Sequence, residues 1–356
     1  MMNEGIDEYK RTNHFRWGLI LFLIVSTFII FIISLYIGPT DVTIGEIFKN
    51  IFSADGSWEG YVIHDIRLKR SIAAILAGIG LGVSGAVMQC VLKNPLGSPY
   101  TLGISNSAAF GAALGIMVLG GGIVTGQSVS SYIIENPYIV TISAFMFSLL
   151  ATGAIILSMR IFNASPETML LTGMALSAIF SAGIAFLQYQ ANELALSAIV
   201  FWQFGDLEKI SWDNMWFVAT IVAIAFAYLY LKRWDLNAMD LGDDIAHGLG
   251  INVSRVRILV LLLSAVMTSI IVSFVGIIGF IGLLAPHLSR KLVSNDKCLL
   301  IPTSAIIGAL VLLIALMLSE NAFGFTVPIG IVTSFIGGPL FLWILYGRYS
   351  KKGGIA

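Results

Sequence analysis

Apolar residues fall in long runs along this chain, and polar ones are confined to the short connections between them. A helix needs about 20 largely apolar residues to cross the ~30 Å hydrocarbon core of a bilayer. Stretches of that kind lie near 17–37, 71–92, 98–120, 137–159, 168–190, 213–231, 299–319 and 328–347, and a longer run covers 258–286. Asp213, at the first position of its stretch, is the sole Asp, Glu, Lys or Arg in all nine. The pattern predicts a bundle of transmembrane helices with little protein outside the bilayer.

The connections carry the charge, and its sign orients the helices, because cytoplasmic loops hold an excess of Lys and Arg. With the N-terminus inside, 15 of the 20 basic residues fall on the inner side: Lys10, Arg11, Arg16, Lys93, Arg160, Lys232, Arg233, Arg255, Arg257, Arg290, Lys291, Lys297, Arg348, Lys351 and Lys352. Lys49, Arg67, Lys69, Arg70 and Lys209 fall outside, and 67–70 is a local violation of the rule. This orientation puts both ends of the 258–286 run in the cytoplasm. Its 29 residues make only about 43 Å of helix, too short for two crossings. One helix plus a short or half-depth return is expected, with the break near Gly276, Gly279 and Gly282.

The expected fold is therefore an all-α polytopic membrane protein of about ten transmembrane segments, one of them short or half-depth, with both termini cytoplasmic. Residues 1–16 form an N-terminal tail, 17–347 a single transmembrane domain and 348–356 a C-terminal tail. Basic Lys10, Arg11 and Arg16 before an apolar run resemble a signal peptide. The run exceeds the usual ~7–15-residue apolar region and no A-x-A site follows, so it reads as a first transmembrane helix. Trp17, Trp216, Trp234 and Trp343 fall near predicted helix ends, where an aromatic belt would sit. The outer connection 38–66, with Pro39, Asp41, Glu46, Asp55 and Gly56, reads as a short amphipathic helix with turns, and 120–136, rich in Gly and Ser, as an outer loop. No convincing internal repeat is visible.

Composition narrows the function. Of 356 residues, 57% are hydrophobic and 11% charged, and mean hydropathy is +0.91. A soluble domain carries roughly 25% charge, so an ordinary soluble enzyme and a disordered chain are both excluded. Lys+Arg and Asp+Glu balance at 20 each with no basic block, which argues against nucleic-acid partners. Cys90 and Cys298 imply no disulfide framework, and four His with two Cys show no metal-ligand spacing; no cofactor is expected. None of the ten Lys is followed by Ser or Thr, so the phosphate-binding G-x-x-x-x-G-K-[ST] loop is absent. A secondary transporter or channel that moves protons or sodium keeps ionisable residues at membrane depth, and a membrane-embedded enzyme would cluster His, Asp or Glu there. Neither pattern is present, and the chain reads as a pathway powered from elsewhere.

Ordered motifs sharpen this. They are Arg67-Leu68-Lys69-Arg70; the Gly/Ala-rich helix to Gly85-Ala86-Val87-Met88-Gln89; Lys93-Asn94-Pro95-Leu96-Gly97-Ser98-Pro99; and Leu102 to Ala108. Leu171 to Ser177, Trp202 to Leu207 with Ser211-Trp212, Leu241 to Gly250, Gly276 to Arg290, and Pro328 to Thr333 with Gly337 to Phe341 follow. Together, over roughly residues 35 to 347, they closely resemble the FecCD family, the permease subunits of ABC importers for iron-siderophores, haem and vitamin B12. Members usually carry an acidic residue just before the last Pro-x-Gly and an Asp in the preceding helix; here Val327 precedes Pro328, and Leu318-Ser319-Glu320-Asn321 occupies the other region.

The resemblance implies a second copy of the chain, two separate ABC ATPase subunits, an extracytoplasmic solute-binding protein and residence in the cytoplasmic membrane. It implies cargo of the iron-siderophore, haem or corrinoid class, with a molybdate-type oxyanion as the alternative within the family. Arg67 and Arg70, three apart and on one face of a helix beginning there, are expected to dock acidic residues of the binding protein; the bland alternative is snorkelling to lipid headgroups. Leu241, Gly242, Ala246, Leu249 and Gly250 lie in the inner segment expected to seat on the ATPase, the alternative being a plain connector. Gln89, Asn94, Pro95, Ser105, Asn106, Ser165 and Thr172 are the expected pathway residues, although Asn94 and Pro95 read more simply as a helix terminus. Gly78, Gly80, Gly82 and Gly85 are expected to serve close helix packing, and His287 an interface rather than a ligand.

Overall fold

The computed structural model describes residues 2–38, 40–52, 56–119, 123–124, 132–133, 136–161, 166–322 and 325–350, with side chains of the first and last of these segments described over 14–38 and 325–343. Pro39, Asp55, Ser165, most of the 120–136 connection and residues 351–356 lie outside the described residues. The elements are α1 (Met2–Tyr36), α2 (Ile44–Asn50), α3 (Trp58–Tyr61), α4 (Lys69–Val91), α5 (Ile104–Met117), α6 (Pro137–Ile161), α7 (Pro166–Gln190), α8 (Glu193–Gln203) and α9 (Trp212–Leu231). They continue as α10 (Arg233–Leu241), α11 (Asp243–Gly248), α12 (Val253–Val275), α13 (Ile281–Leu292), α14 (Lys297–Asn321) and α15 (Ile329–Ser350). The two-residue strands Ile123–Val124 and Tyr132–Ile133 pair antiparallel.

Among the described residues seven helices are long and apolar enough to cross a membrane, and Ile104–Met117, Glu193–Gln203 and Ile329–Trp343 are shorter apolar helices. The 258–286 run resolves as expected: α12 stops at Gly276, whose φ of 75° ends the helix, and α13 returns after a five-residue break. At 12 residues α13 is about 18 Å long, half a bilayer. Two expectations change. The crossing near 98–120 is a 14-residue helix, because Pro95, Pro99 and left-handed Gly103 (φ 76°) commit its first residues to turns. The stretch after 190 contains α8, started by Asn192, whose side chain accepts from the Ala195 amide.

The amphipathic helix expected in the 38–66 connection is α2, closed at its start by a reciprocal Thr43–Glu46 capping box. After it the chain does not wait until Arg67 to become helical. Ser57 caps α3, and π-helical turns over Val62–Leu68 lead without a break into α4.

Burial sorts the helices. α4, α12 and α14 are apolar all round and largely buried, whereas α1, α7 and α9 leave most of their apolar surface exposed. Trp17, Trp216, Trp234 and Trp343 are all exposed. α4 and α14 run antiparallel at the centre, with the small residues Gly78 and Gly82 against Gly308 and Ser304 and Ile301, Leu312 and Leu313 filling the core beside them. The bundle has a basic end, where Lys93, Arg257, Arg290 and Lys297 gather near the ends of α4, α12, α13 and α14, and an opposite end marked by Arg70, Glu208 and Glu320.

Candidate functional site

At the basic end α10 and α11 form an elbow. Gly242 between them has φ 133° and ψ 150°, a region essentially restricted to glycine, and Gly250 beyond α11 has φ 81°. Leu241, Ile245 and Leu249 are 69%, 50% and 66% exposed; Ile245 and Leu249, four apart, share one side of α11 and its cap, and Leu241, across the break at Gly242, extends them into an interrupted apolar stripe on the elbow. Ala246 was expected in the segment that seats on the ATPase, and the structure turns its side chain inward, fully buried in the main core. The elbow is pinned on both sides of Gly242. Asp240 accepts from the ammonium of Lys297, from Asn295 Nδ2 at 2.9 Å and from the Cys90 thiol at 3.1 Å; Lys297 is 1% exposed. Asp243 takes both oxygens' bonds from Arg257 Nη2 at 3.1 Å and an ion pair from Lys93 at 3.1 Å. Partial burial alone would raise the Asp243 carboxyl, and the bonds from Arg257 and Lys93 outweigh it and hold it below the usual carboxylate range.

Beside the elbow opens a cavity of about 1170 Å³. It brings together three expected pathway residues, Gln89, Asn94 and Pro95, with Asp240, His287, Arg290, Lys291 and Trp343. Asn94 also shapes its loop, since its Oδ1 accepts from the Leu96 amide at 2.8 Å. His287 is buried with its ring edge-on to Phe341, as an interface residue would be. A second cavity of about 570 Å³ holds Asn106, with Tyr100, Gln203, Phe280 and Ser334. Asn106 donates to Ser177 at 2.5 Å and to Ser181 at 3.2 Å, tying α5 to α7. Ser105 and Thr172 line neither cavity: Ser105 is buried, and Thr172 donates to Ser158 between α6 and α7 at 3.2 Å. Ser165 lies outside the described residues.

At the opposite end the two arginines part company, which corrects the expectation that they present one outward face. Because the helix starts at Trp58, Arg67 sits in the π-helical turns and points inward, 5% exposed. Its guanidinium donates to the carbonyls of Leu35 at 3.0 Å, Tyr36 at 2.9 Å and Thr40 at 2.5 Å, which fastens the turn after α1. Arg70 pairs with Glu208 and, at 2.7 Å, with Glu320. These three line a cavity of about 370 Å³ with Asp206, Lys209 and Pro328. The carboxylate partners escaped the sequence reading because they stand in other connections; Glu320 was noted only for occupying an unusual position. The Asp240 and Asp243 anchors were missed for the same reason, although two acids flanking a glycine inside a basic segment were a visible signal. Among the described residues no three His, Cys, Asp or Glu gather to hold a metal ion.

The FecCD transport family pattern matches residues 26–347. An ABC transporter permease protein of Methanocaldococcus jannaschii is 39% identical, over 93% of this chain and 95% of its own length. The Fe(3+)-citrate import system permease protein YfmE of Bacillus subtilis is 34% identical, over 94% of this chain and 96% of its own. A solved structure described as an inward-facing ABC transporter of metal-chelate type superposes with a TM-score of 0.80 at 29% identity, covering 93% of this chain and 99% of that one.

Proposed function

The chain belongs to the FecCD transport family and is a permease subunit of an ABC importer in the cytoplasmic membrane; from that premise we propose how its parts work. The basic end faces the cytoplasm, as do both termini, and α5, α13 and α15 join the seven long helices to make about ten membrane segments, α13 being the half-depth one. A second copy of the chain faces the cavity around Asn106, and two ABC ATPase subunits bind the elbows. The cargo is a metal chelate of the iron-siderophore, haem or corrinoid class.

The exposed stripe of Leu241, Ile245 and Leu249 carries this reading. Three large apolar side chains in water cost free energy that covering them recovers, at about 25 cal/mol per Å², and they sit in a segment rich in charge beyond the ends of α9 and α12. A chain without a phosphate-binding loop has to receive the work of ATP hydrolysis through such a contact. Gln89, Asn94 and Pro95 then line the exit and Asn106 the middle of the path. Ser105 and Thr172 support that path from behind. At the outer end Arg70, with Glu208 and Glu320, meets the solute-binding protein, and Arg67 holds the turn that frames it.

The test is reconstitution in liposomes with an ABC ATPase and a binding protein, offering ferric citrate, haemin and cobalamin in turn. Uptake of one of them that requires ATP and both partners is expected, with no ATP hydrolysis by the chain alone. Hydrolysis by the isolated chain, or uptake driven by an ion gradient without ATP, would overturn the reading.

A further inference from the structure

Helix α4 ends in an unusual way. The Lys93 amide bonds the Cys90 carbonyl at 3.0 Å and the Asn94 amide bonds the Gln89 carbonyl at 3.2 Å, the paired closure of a Schellman motif. The residue after the cap must then be left-handed, a position that glycine fills at no steric cost. Here it is Lys93, with φ 48°, one of two non-glycine residues with positive φ among those described. What lysine adds is its side chain, which reaches the carboxylate of Asp243, the first residue of α11, at 3.1 Å.

The same carboxylate is gripped by Arg257 from α12, and Arg257 Nε donates at 3.1 Å to the Val91 carbonyl in the last turn of α4. Arg257 is buried, so the joint is fixed at its base. Asp243 thus sits where α11, α12 and the end of α4 meet. From Lys93 the chain passes into Asn94 and Pro95, on the wall of the cavity of about 1170 Å³ at the basic end. A displacement of α11 pulls on Asp243 and, through Lys93, on that wall.

We propose that Asp243 is a positioning residue for transport: its clasp on Lys93 and Arg257 carries movement of α11 to the 93–99 loop at the mouth of the basic-end cavity. This rests on the reading of α11 as the ATPase contact. It adds a mechanical route from that contact to the path, and it accounts for a lysine in a glycine position.

The experiment is hydrogen exchange on the whole reconstituted importer, with and without a non-hydrolysable ATP analogue. In the wild type, nucleotide is expected to change exchange both in α11 and in the 93–98 amides. In Asp243→Asn the change in α11 should persist while that at 93–98 shrinks by about tenfold, the scale of one lost charge-assisted bond. Asp243→Glu, which keeps the carboxylate, should restore it, while the persisting α11 response shows that the Asn variant is folded. Lys93→Gly keeps the helix closure without the side chain, and should lose the 93–98 response even if Asp243→Asn proves too unstable to purify. A 93–98 response unchanged in a folded Asp243→Asn or Lys93→Gly importer would overturn the clasp. Silence in α11 of the wild type would instead overturn the ATPase-contact reading, and the clasp with it.

Discussion

Arg70 Nη1 donates to Glu320 Oε1 at 2.7 Å, joining the first turn of α4 to the last turn of α14 across 250 positions of sequence. Glu208, from the connection between α8 and α9, closes the same guanidinium from its other side. Val327 stands before Pro328, and the negative charge paired with Arg70 comes from Glu208 and Glu320. Removing one partner of a part-buried pair costs more than the pair itself contributes, because the other charge stays behind. Glu320→Arg is therefore expected to destabilise the detergent-solubilised protein by about 1–3 kcal/mol, and Arg70→Glu with Glu320→Arg to recover part of it. Thermal unfolding of the single and double variants decides; an additive double variant would show that the two do not interact.

The docking of a binding protein separates the two arginines. Arg70→Glu should weaken docking by on the order of tenfold or more, with the effect fading at high salt. Lys69→Glu should matter less. Arg67→Glu should lower the yield of folded protein instead, since three backbone carbonyls lose their donor. Titration of the wild type and variants with the cognate binding protein at two salt concentrations, beside yield from membranes, distinguishes docking loss from misfolding.

Gly78 on α4 and Gly308 on α14 lie so close that a methyl group on either would overlap the other's carbonyl oxygen. Gly78→Leu or Gly308→Leu forces backbone apart, at a cost of about 1–3 kcal/mol or more for overpacking. Gly153→Leu on α6, where nothing lies within 4 Å, is the matched control. Size-exclusion profiles in detergent should show aggregation for the first two and a wild-type peak for the third.

The membrane helices were legible because a bilayer imposes one constraint, length of apolar run, that single residues satisfy independently. The half-depth return followed from charge on both sides of 258–286 and simple helix arithmetic. α8 was not legible, since 11 residues between two crossings are too few to register as a span. Of the candidate site, the local backbone was legible, as in the glycine-bounded 242–250 segment or the Asn94-Pro95 turn. Pairing at a distance was not. Arg67 looked like a docking residue because its charge stood outside, and only the fold shows the carbonyls of Leu35, Tyr36 and Thr40 waiting for it.

The clasp should respond to acid in a defined window. Asp243 is held below its ordinary value, so its stabilising bonds are present above the unfolded carboxyl pKa, about 3.9. They are lost as pH falls through the lower folded value. Proteolysis within 92–99 should stay flat from about pH 8 to pH 5 and rise only below about pH 4. Asp243→Asn should show the raised level at every pH, and a wild-type transition near neutrality would mean that another group controls the loop.

Bulk at the elbow needs a choice of residue that separates contact from strain. Gly242→Trp would place a side chain on a backbone of φ 133°, so a loss of transport there would mix backbone strain with a blocked ATPase groove. The apolar stripe gives the cleaner variants, because Leu241, Ile245 and Leu249 are exposed on ordinary helical or capping backbone. Each of the two leucines buried on docking contributes about 1.5–3 kcal/mol, so Leu241→Asp with Leu249→Asp should weaken ATPase binding by a hundredfold or more, on the order of 3 kcal/mol. The chain itself should melt as the wild type does. Ala246→Asp, one turn away but fully buried, should instead lower the melting temperature along with ATPase binding, since a carboxylate without a partner in the core unfolds the elbow. Co-purification of the ATPase with each variant, set against its melting temperature, checks both halves; a Leu241→Asp, Leu249→Asp chain that still holds the ATPase would leave the stripe to lipid alone.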